Sequence, residues 1–502
     1  MPGGTLGKAA TAVAAVVAVG GVLAATAPAA PASAALPDYT TAEAGNPIVA
    51  GWYADPDVAI YGNRFYVFPT ASRPYAEQTY LDAFSSTDLV TWTRHPNVLT
   101  TANVSWARYA VWAPAPIARN GRYYLYFAAN DIQSNSALGG IGVAVADRPE
   151  GPYTDAIGRP LIAQFVNGAQ PIDQDVFIDD DGQAYIYYGG WGHANVAKLN
   201  PDMTSLGTFA DGTTYQEITP SGYVEGSQMF KRNGRYYLMW SEGGWTGPNY
   251  SVAYAMADSP TGPFTRLDKV LAQDPAVARG AGHNSVLNIP GTDTWYIFYH
   301  RRPLSQTDGN ARQVAYDRMN FNADGTIQRV TMLVKDNFAD GNALGWQTYG
   351  GAWSVSGGQY RTTASYGGKS LLDDNHANAT YDLDVTVTSG RGDAGLVFRA
   401  SSVATGTDAY RGYYAGITPA GRVILGRADN NWTPLGSAPL PVATGQRYHL
   451  RVVANGSSIR VYVDDLTTPR ISVTDTAFAS GRSGVRVYNA AAAFDNVVVS
   501  NQ

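Results

Sequence analysis

The chain has 502 residues, 35 Lys and Arg against 41 Asp and Glu, and a net charge of −6 with no dense basic run. That balance offers nothing to a phosphate backbone, so nucleic acid is excluded as a partner. Frequent Tyr (33), Trp (11), Gly (54) and Pro (28) suit many short strands joined by turns, and the lack of Cys excludes disulfides, thiolate metal sites and a Cys nucleophile.

Residues 1–34 read as a secretory signal peptide. Lys8 precedes the apolar run AATAVAAVVAVGGVLAA (residues 9–25), and a Pro/Ala stretch closes on the small-residue cleavage pattern Ala32-Ser33-Ala34. The run is short and weakly hydrophobic for a membrane span, and no later segment is apolar enough to cross a bilayer. A secreted, extracellular monomer with no membrane partner is therefore expected.

Residues 35–335 carry a repeated phrase of a turn, aromatics and an apolar strand. NGRYYLYFAAND (120–131) returns almost intact as NGRYYLMWSEGG (233–244), with looser copies at Gly62, Asp181 and Gly291. The turn glycines Gly62, Gly121, Gly182, Gly234 and Gly291 are 59, 61, 52 and 57 residues apart. Self-similarity at such a period marks a repeat architecture. Five units predict a five-bladed β-propeller, because one blade cannot bury both faces alone and ring closure covers each with its neighbours. The inner strands of all blades then converge on one funnel.

Three acids stand ahead of these repeats at similar offsets: Asp55 by seven residues, Asp173 by nine and Glu225 by nine. Pro56 holds Asp55 to extended backbone. A single loop Asp is usually a turn former. Three at equivalent places in different blades put their carboxylates near one axial pocket. Crowded negative charges raise one pKa while another group stays ionised, the pairing that glycosidic cleavage needs. Asp175 lies two residues beyond Asp173, on the same side of a strand, and rivals it for the third role. Trp112, Trp191 and Trp245 fall where they could face the funnel and stack on sugar rings, although packing between blades is the commoner role for any one Trp. Arg312 could hydrogen-bond a sugar hydroxyl.

The blocks WYADPDV, IDQDVFIDDDG, YVEGSQMFKRNGRYYLMWS and GHNSV, in this order over residues 46–334, resemble the signatures of glycoside hydrolase family 43. The resemblance implies an inverting enzyme with Asp55 as general base, Glu225 as general acid and Asp173 tuning and holding the acid. Inversion leaves room for a water, with base and acid about 6.5–9.5 Å apart. No cofactor is implied for the chemistry. His283 matches a family histidine near the central channel, where a structural calcium or sodium ion is often found. Gln174 and Ala115 depart from the family pattern, which usually has Pro and often an acid there. The expected substrate is a terminal α-L-arabinofuranosyl residue of a plant-type polysaccharide or oligosaccharide. The alternatives are a β-D-xyloside, a galactofuranoside, endo-cleavage of arabinan, or a propeller lectin without turnover. Unlike acids in different blades favour catalysis over a lectin. The flanking motifs of retaining levan and sucrose hydrolases are missing.

The pattern changes near residue 335. Alternating segments such as YDLDVTVTS, AGLVFRAS, YHLRVVAN and FDNVVVS predict a second, antiparallel β-sandwich or jelly-roll domain over residues 336–502. It is similar to concanavalin-like sandwiches appended to such enzymes, carbohydrate-binding module family 66 among them, which implies a carbohydrate-binding domain. The whole chain is thus expected to be all-β.

Overall fold

In the computed structural model, which describes residues 43–502 apart from Ser365 together with Met1, Gly3 and Gly4, each aromatic repeat is an antiparallel hairpin. The expected signal segment otherwise lies outside the described residues. In two repeats Arg119 pairs with Arg122, and Arg232 with Arg235, across two-residue turns. Both turn residues are left-handed: Asn120 (φ 53°) with Gly121 (φ 75°), and Asn233 (φ 50°) with Gly234 (φ 78°). That is the turn Asn-Gly favours, because its twist matches that of the flanking strands.

Five such hairpins seed five separate antiparallel sheets, spanning residues 53–100, 112–155, 175–217, 225–271 and 279–319. The first four have four strands and the fifth has three. This is the five-bladed propeller expected from the spacing. The segment before blade one closes the ring. Ile48 N–H donates to Val314 C=O at 3.1 Å, Tyr53 N–H to Arg312 C=O at 2.8 Å, and the Asn46 amide brackets the Tyr316 backbone.

The strand Arg235–Glu242 shows why the repeat is apolar on both faces. Tyr236, Leu238 and Trp240 pack with Tyr187 and Val196 of blade three. Tyr237 and Met239 pack with Ile297 and Tyr299 of blade five. Alternate residues thus enter two different inter-blade cores, so no polar face is needed. Among the described residues there is no α-helix, only two short 3-10 turns, Tyr75–Glu77 and Thr101–Asn103.

Val334 packs against both the last propeller core and the core of the following domain, so the chain passes between them without a linker. The C-terminal domain is a single antiparallel network. Its two longest strands, Ala379–Ser401 and Arg482–Asn501, pair with each other along most of their length. The first half of Ala379–Ser401 also pairs with Arg447–Asn455, the second half with Arg411–Thr418. Leu383, Leu396, Phe398, Tyr413 and Leu450 meet in one core. The two domains touch where Asn375 N–H donates to Ala276 C=O at 2.9 Å and Ser305 to Asp373.

A Cβ at Gly234 would meet no atom within 4 Å. Gly234→Ala therefore bears only the left-handed backbone penalty, and chemical denaturation is expected to show a loss of about 1–2 kcal/mol.

Candidate active site

The inner strands of the blades share an irregularity at their heads. Left-handed backbone occurs at Asp55 (φ 47°), Ala113 (φ 44°), Asp173 (φ 55°), Gly226 (φ 71°) and His283 (φ 44°), one per blade. Strand pairing slips at the same points in four blades: between Ala54 and Asp57, Trp112 and Ala115, Glu225 and Gln228, and Gly282 and Asn284. In blade three, Asp173 lies just before the strand Asp175–Ile178. Bulges of this kind bend the strand and re-aim its side chains. Here they turn the head of each inner strand toward the propeller axis.

The result is one cavity of about 340 Å³ lined by Asp55, Asp173, Glu225 and His283, with Arg312 beside them. Trp112, Trp191 and Trp245 line it as well. All eight residues singled out from the sequence therefore converge. The sequence reading missed five other lining residues: Asp131, at the end of one repeat, and Tyr75, Gln133, Gln170 and Ile172, which lie outside the repeats. It also missed His300 and Tyr250, which lie behind the acids. His300 had one signal, its place at the end of a repeat strand. Tyr250 had none.

Asp55 is 8% exposed yet surrounded by cationic and polar partners. Its Oδ1 lies 3.2 Å from Arg312 Nη1, 3.2 Å from His300 Nδ1 and 3.3 Å from His283 Nδ1. Burial opposes its ionisation, but Arg312, His283 and His300 outweigh burial and hold the carboxyl well below the usual range. At Glu225 burial and the Asp55 charge together outweigh the same Arg312 charge, which lowers the carboxyl. Burial raises it, a hydrogen bond from Tyr250 at 2.9 Å pulls it down, the Asp55 charge pushes it up, and it settles at about 7. Burial raises Asp173 too, and the nearby Glu225 and Asp55 charges raise it further. Asp173 accepts the main-chain N–H of Gly226, next to Glu225, and so braces the segment that carries that side chain. The cavity thus holds an ionised carboxylate opposite a carboxyl group that keeps its proton up to near neutrality.

Three sequence readings need correction. Pro56 does not hold Asp55 extended: the strand-head bulge places it left-handed, at φ 47°. Asp175 does not rival Asp173 in the cavity: its Oδ2 accepts the Met229 N–H at 2.6 Å, and it does not line the site. The alternation argument fails because Asp173 precedes the strand and is left-handed. Arg312 is also more than a free sugar donor. Its Nη1 bonds Asp55, its Nε bonds Ser72 Oγ at 3.0 Å, and its guanidinium lies over the Trp245 ring at 4.8 Å. Gln174, one of the departures from the family pattern, donates to the Ala113 C=O, and Ala115, the other, is buried in an inter-blade core.

Trp191 is 54% exposed at the mouth, held left-handed (φ 60°) in a Gly-rich turn, with Phe165 at 4.8 Å. Trp112 and Trp245 lie deeper, with Tyr75 at 4.8 Å and 6.5 Å. Among the described residues no three His, Asp or Glu side chains are grouped to hold a metal ion. The nearest neighbours of His283 Nδ1 are carboxylates of the reacting set, Asp55 and Asp173. A hard cation there would take oxygen ligands, several of them water. No step below passes through an ion.

Residues 44–327 match the family described as glycosyl hydrolases family 43, and residues 335–500 match the 3-keto-alpha-glucoside-1,2-lyase-like domain. The chain is 45% identical over 310 residues to the beta-D-galactofuranosidase xynD of Aspergillus niger, covering 59% of this chain and 87% of that one. It is 28% identical over 339 residues to xylosidase/arabinosidase 43A of Humicola insolens, covering 56% and 98%. Among solved structures, an alpha-L-arabinofuranosidase from Clostridium thermocellum shares 32% identity over 55% of this chain and 93% of that one, with a TM-score of 0.47.

The two carboxyl groups set the pH dependence of any glycosidic cleavage in this cavity. Asp55 must be ionised, and its pKa is depressed, so kcat/KM is expected to hold as the pH falls well into the acid range. Glu225 must be protonated, so kcat/KM is expected to fall tenfold per pH unit above about 7. Arg312→Leu removes the main counter-charge of Asp55 and is expected to move the acid limb upward. Rates measured across the pH range with wild type and variant check both limbs.

Proposed function

Because the chain belongs to glycosyl hydrolase family 43, we propose that it is an inverting exo-glycosidase that removes terminal furanosyl residues from polysaccharide or oligosaccharide side chains. The observation that carries this reading is the division of protonation between Asp55 and Glu225 in one cavity. Asp55 takes a proton from water as the oxygen attacks the anomeric carbon. Glu225 gives its proton to the departing glycosidic oxygen as the C–O bond breaks. Asp173 braces the Glu225 segment through the main-chain N–H of Gly226. Water arrives on the face opposite the leaving group, so the anomeric configuration inverts.

The cavity, about 340 Å³, is at the small end of ligand pockets, about 300–1,000 Å³. That size favours one terminal sugar with its neighbour over a groove for a long chain. α-L-Arabinofuranosyl and β-D-galactofuranosyl residues share their ring configuration and differ in the exocyclic arm on C4. One ring pocket therefore serves both. The 45% identity to a galactofuranosidase supports placing the longer arm beside the arabinofuranoside expected from sequence. Secretion is proposed on the N-terminal sequence alone. For residues 335–500 we propose saccharide binding, which would raise the local concentration of substrate without entering the chemistry.

The test is sugar release from a galactofuranosyl oligosaccharide, arabinoxylan, debranched arabinan and xylo-oligosaccharides, with wild type beside Asp55→Ala. Galactose or arabinose is expected from wild type, with a rate loss of about 100-fold or more in the variant. Proton NMR of the first-formed sugar is expected to show inverted configuration. Xylose alone would replace the sugar, oligosaccharides alone would replace exo by endo action, and retention would remove Asp55 from its role as base.

A further inference from the structure

Behind the cavity one side chain touches the surroundings of both reacting carboxylates. Tyr250 is 1% exposed and opens the strand of blade four that begins at Ser251. Its hydroxyl donates to Glu225 Oε1 at 2.9 Å. Its ring lies parallel to the His300 imidazole, 5.5 Å between centroids with planes 10° apart. His300 Nδ1 in turn lies 3.2 Å from both the main-chain nitrogen and Oδ1 of Asp55. A path of direct contacts thus runs Glu225–Tyr250–His300–Asp55. Gly282 makes room for it, since a Cβ there would stand 2.2 Å from the Tyr250 ring.

We propose that Tyr250 is a positioning residue for the general acid, fixing which Glu225 oxygen delivers the proton. This inference rests on the assignment of Glu225 as acid. A carboxyl group holds its proton on one oxygen at a time. Because Tyr250 donates its single proton to Oε1, that oxygen is the acceptor, and Oε2 is left to carry the proton for the leaving group. The bond also restrains the side chain's rotation, so the acid meets the glycosidic oxygen in one orientation. The stack on His300 holds the Tyr250 ring in place. Tyr250 touches no substrate atom in this role.

Tyr250→Phe removes only the hydroxyl and keeps the ring against His300. The variant is assayed with an alkyl furanoside, whose poor leaving group needs the acid, and with a 2,4-dinitrophenyl furanoside, whose leaving group does not. Loss of the bond to the ionised form raises the Glu225 pKa, so the alkaline limb of kcat/KM is expected to move to higher pH. On the alkyl substrate kcat is expected to fall about tenfold, a part of the 10²–10⁴ that acid catalysis supplies. The loss on the dinitrophenyl substrate is expected to be much smaller. Equal losses on both substrates with an unmoved alkaline limb would show that Tyr250 only packs, and would overturn the proposal. Glu225→Ala, run in parallel, separates the two assignments. If it loses equally on both substrates, Glu225 is not the acid and the underlying reading fails. If it shows the leaving-group dependence while Tyr250→Phe does not, only the role of Tyr250 fails.

Discussion

The site depends on a left-handed residue at the head of each inner strand. A regular strand would send alternate side chains into the two inter-blade cores, as Arg235–Glu242 does, and none toward the axis. The bulges at Asp55, Ala113, Gly226 and His283, and the left-handed turn at Asp173, break that alternation. Holding a side-chain-bearing residue left-handed costs about 1–2 kcal/mol. The fold accepts that cost at four such residues around one cavity, in keeping with strain collecting at functional sites where the surroundings over-determine the backbone. Blade four differs. There the left-handed residue is Gly226, and the acid stands one position earlier, at the first residue of its strand.

Electrostatics then divides carboxyl groups that burial alone would treat alike. All three are desolvated, and desolvation raises each of them. Asp55 escapes because Arg312 Nη1 and two imidazoles face a single oxygen. Arg312 is itself fixed, by Ser72 on one edge and Trp245 on its face, so the counter-charge cannot swing away into solvent. Once Asp55 is ionised, its charge becomes one of the forces that keep the proton on Glu225. The two protonation states are therefore coupled, with a residue from the last blade acting on one from the first. Ring closure by residues 46–53 bears directly on this, because Tyr53 is hydrogen-bonded to the backbone of Arg312 itself.

The fold was legible because its signal is repeated. Asn-Gly turns followed by two-faced aromatic strands encode the same hairpin, and five copies at one period leave few alternatives to a ring. The acids were legible because their offsets from those turns are nearly equal. What escaped has a common physical cause. Gln133 and Gln170 reach the cavity from loops whose path follows no period, and Asp131 ends a repeat whose near-copy has Gly244 there. Tyr250 follows a Gly-rich loop and reads locally as the start of another strand. Its meaning lies in a contact with Glu225, 25 residues away, and with His300 in the next blade. Asp175 misled for the opposite reason: the period-two rule was applied across Asp173, where the backbone does not obey it.

The same contrast separates reaction type from substrate. The chemistry rests on strand heads that the propeller repeats and the bulges aim. The rest of the cavity wall comes largely from segments that the repeat does not set. The Asp131 carboxylate accepts a hydrogen bond from Gln133 at 2.7 Å, and Gln170 is held by the Ile132 carbonyl at 2.9 Å. This cluster presents polar groups to the cavity, while the exposed Trp191 with Phe165 presents an apolar face. Such loops can change without disturbing any hairpin or inter-blade core. That independence is a physical reason for one propeller chemistry to be found among proteins named for galactofuranosides, xylosides and arabinosides.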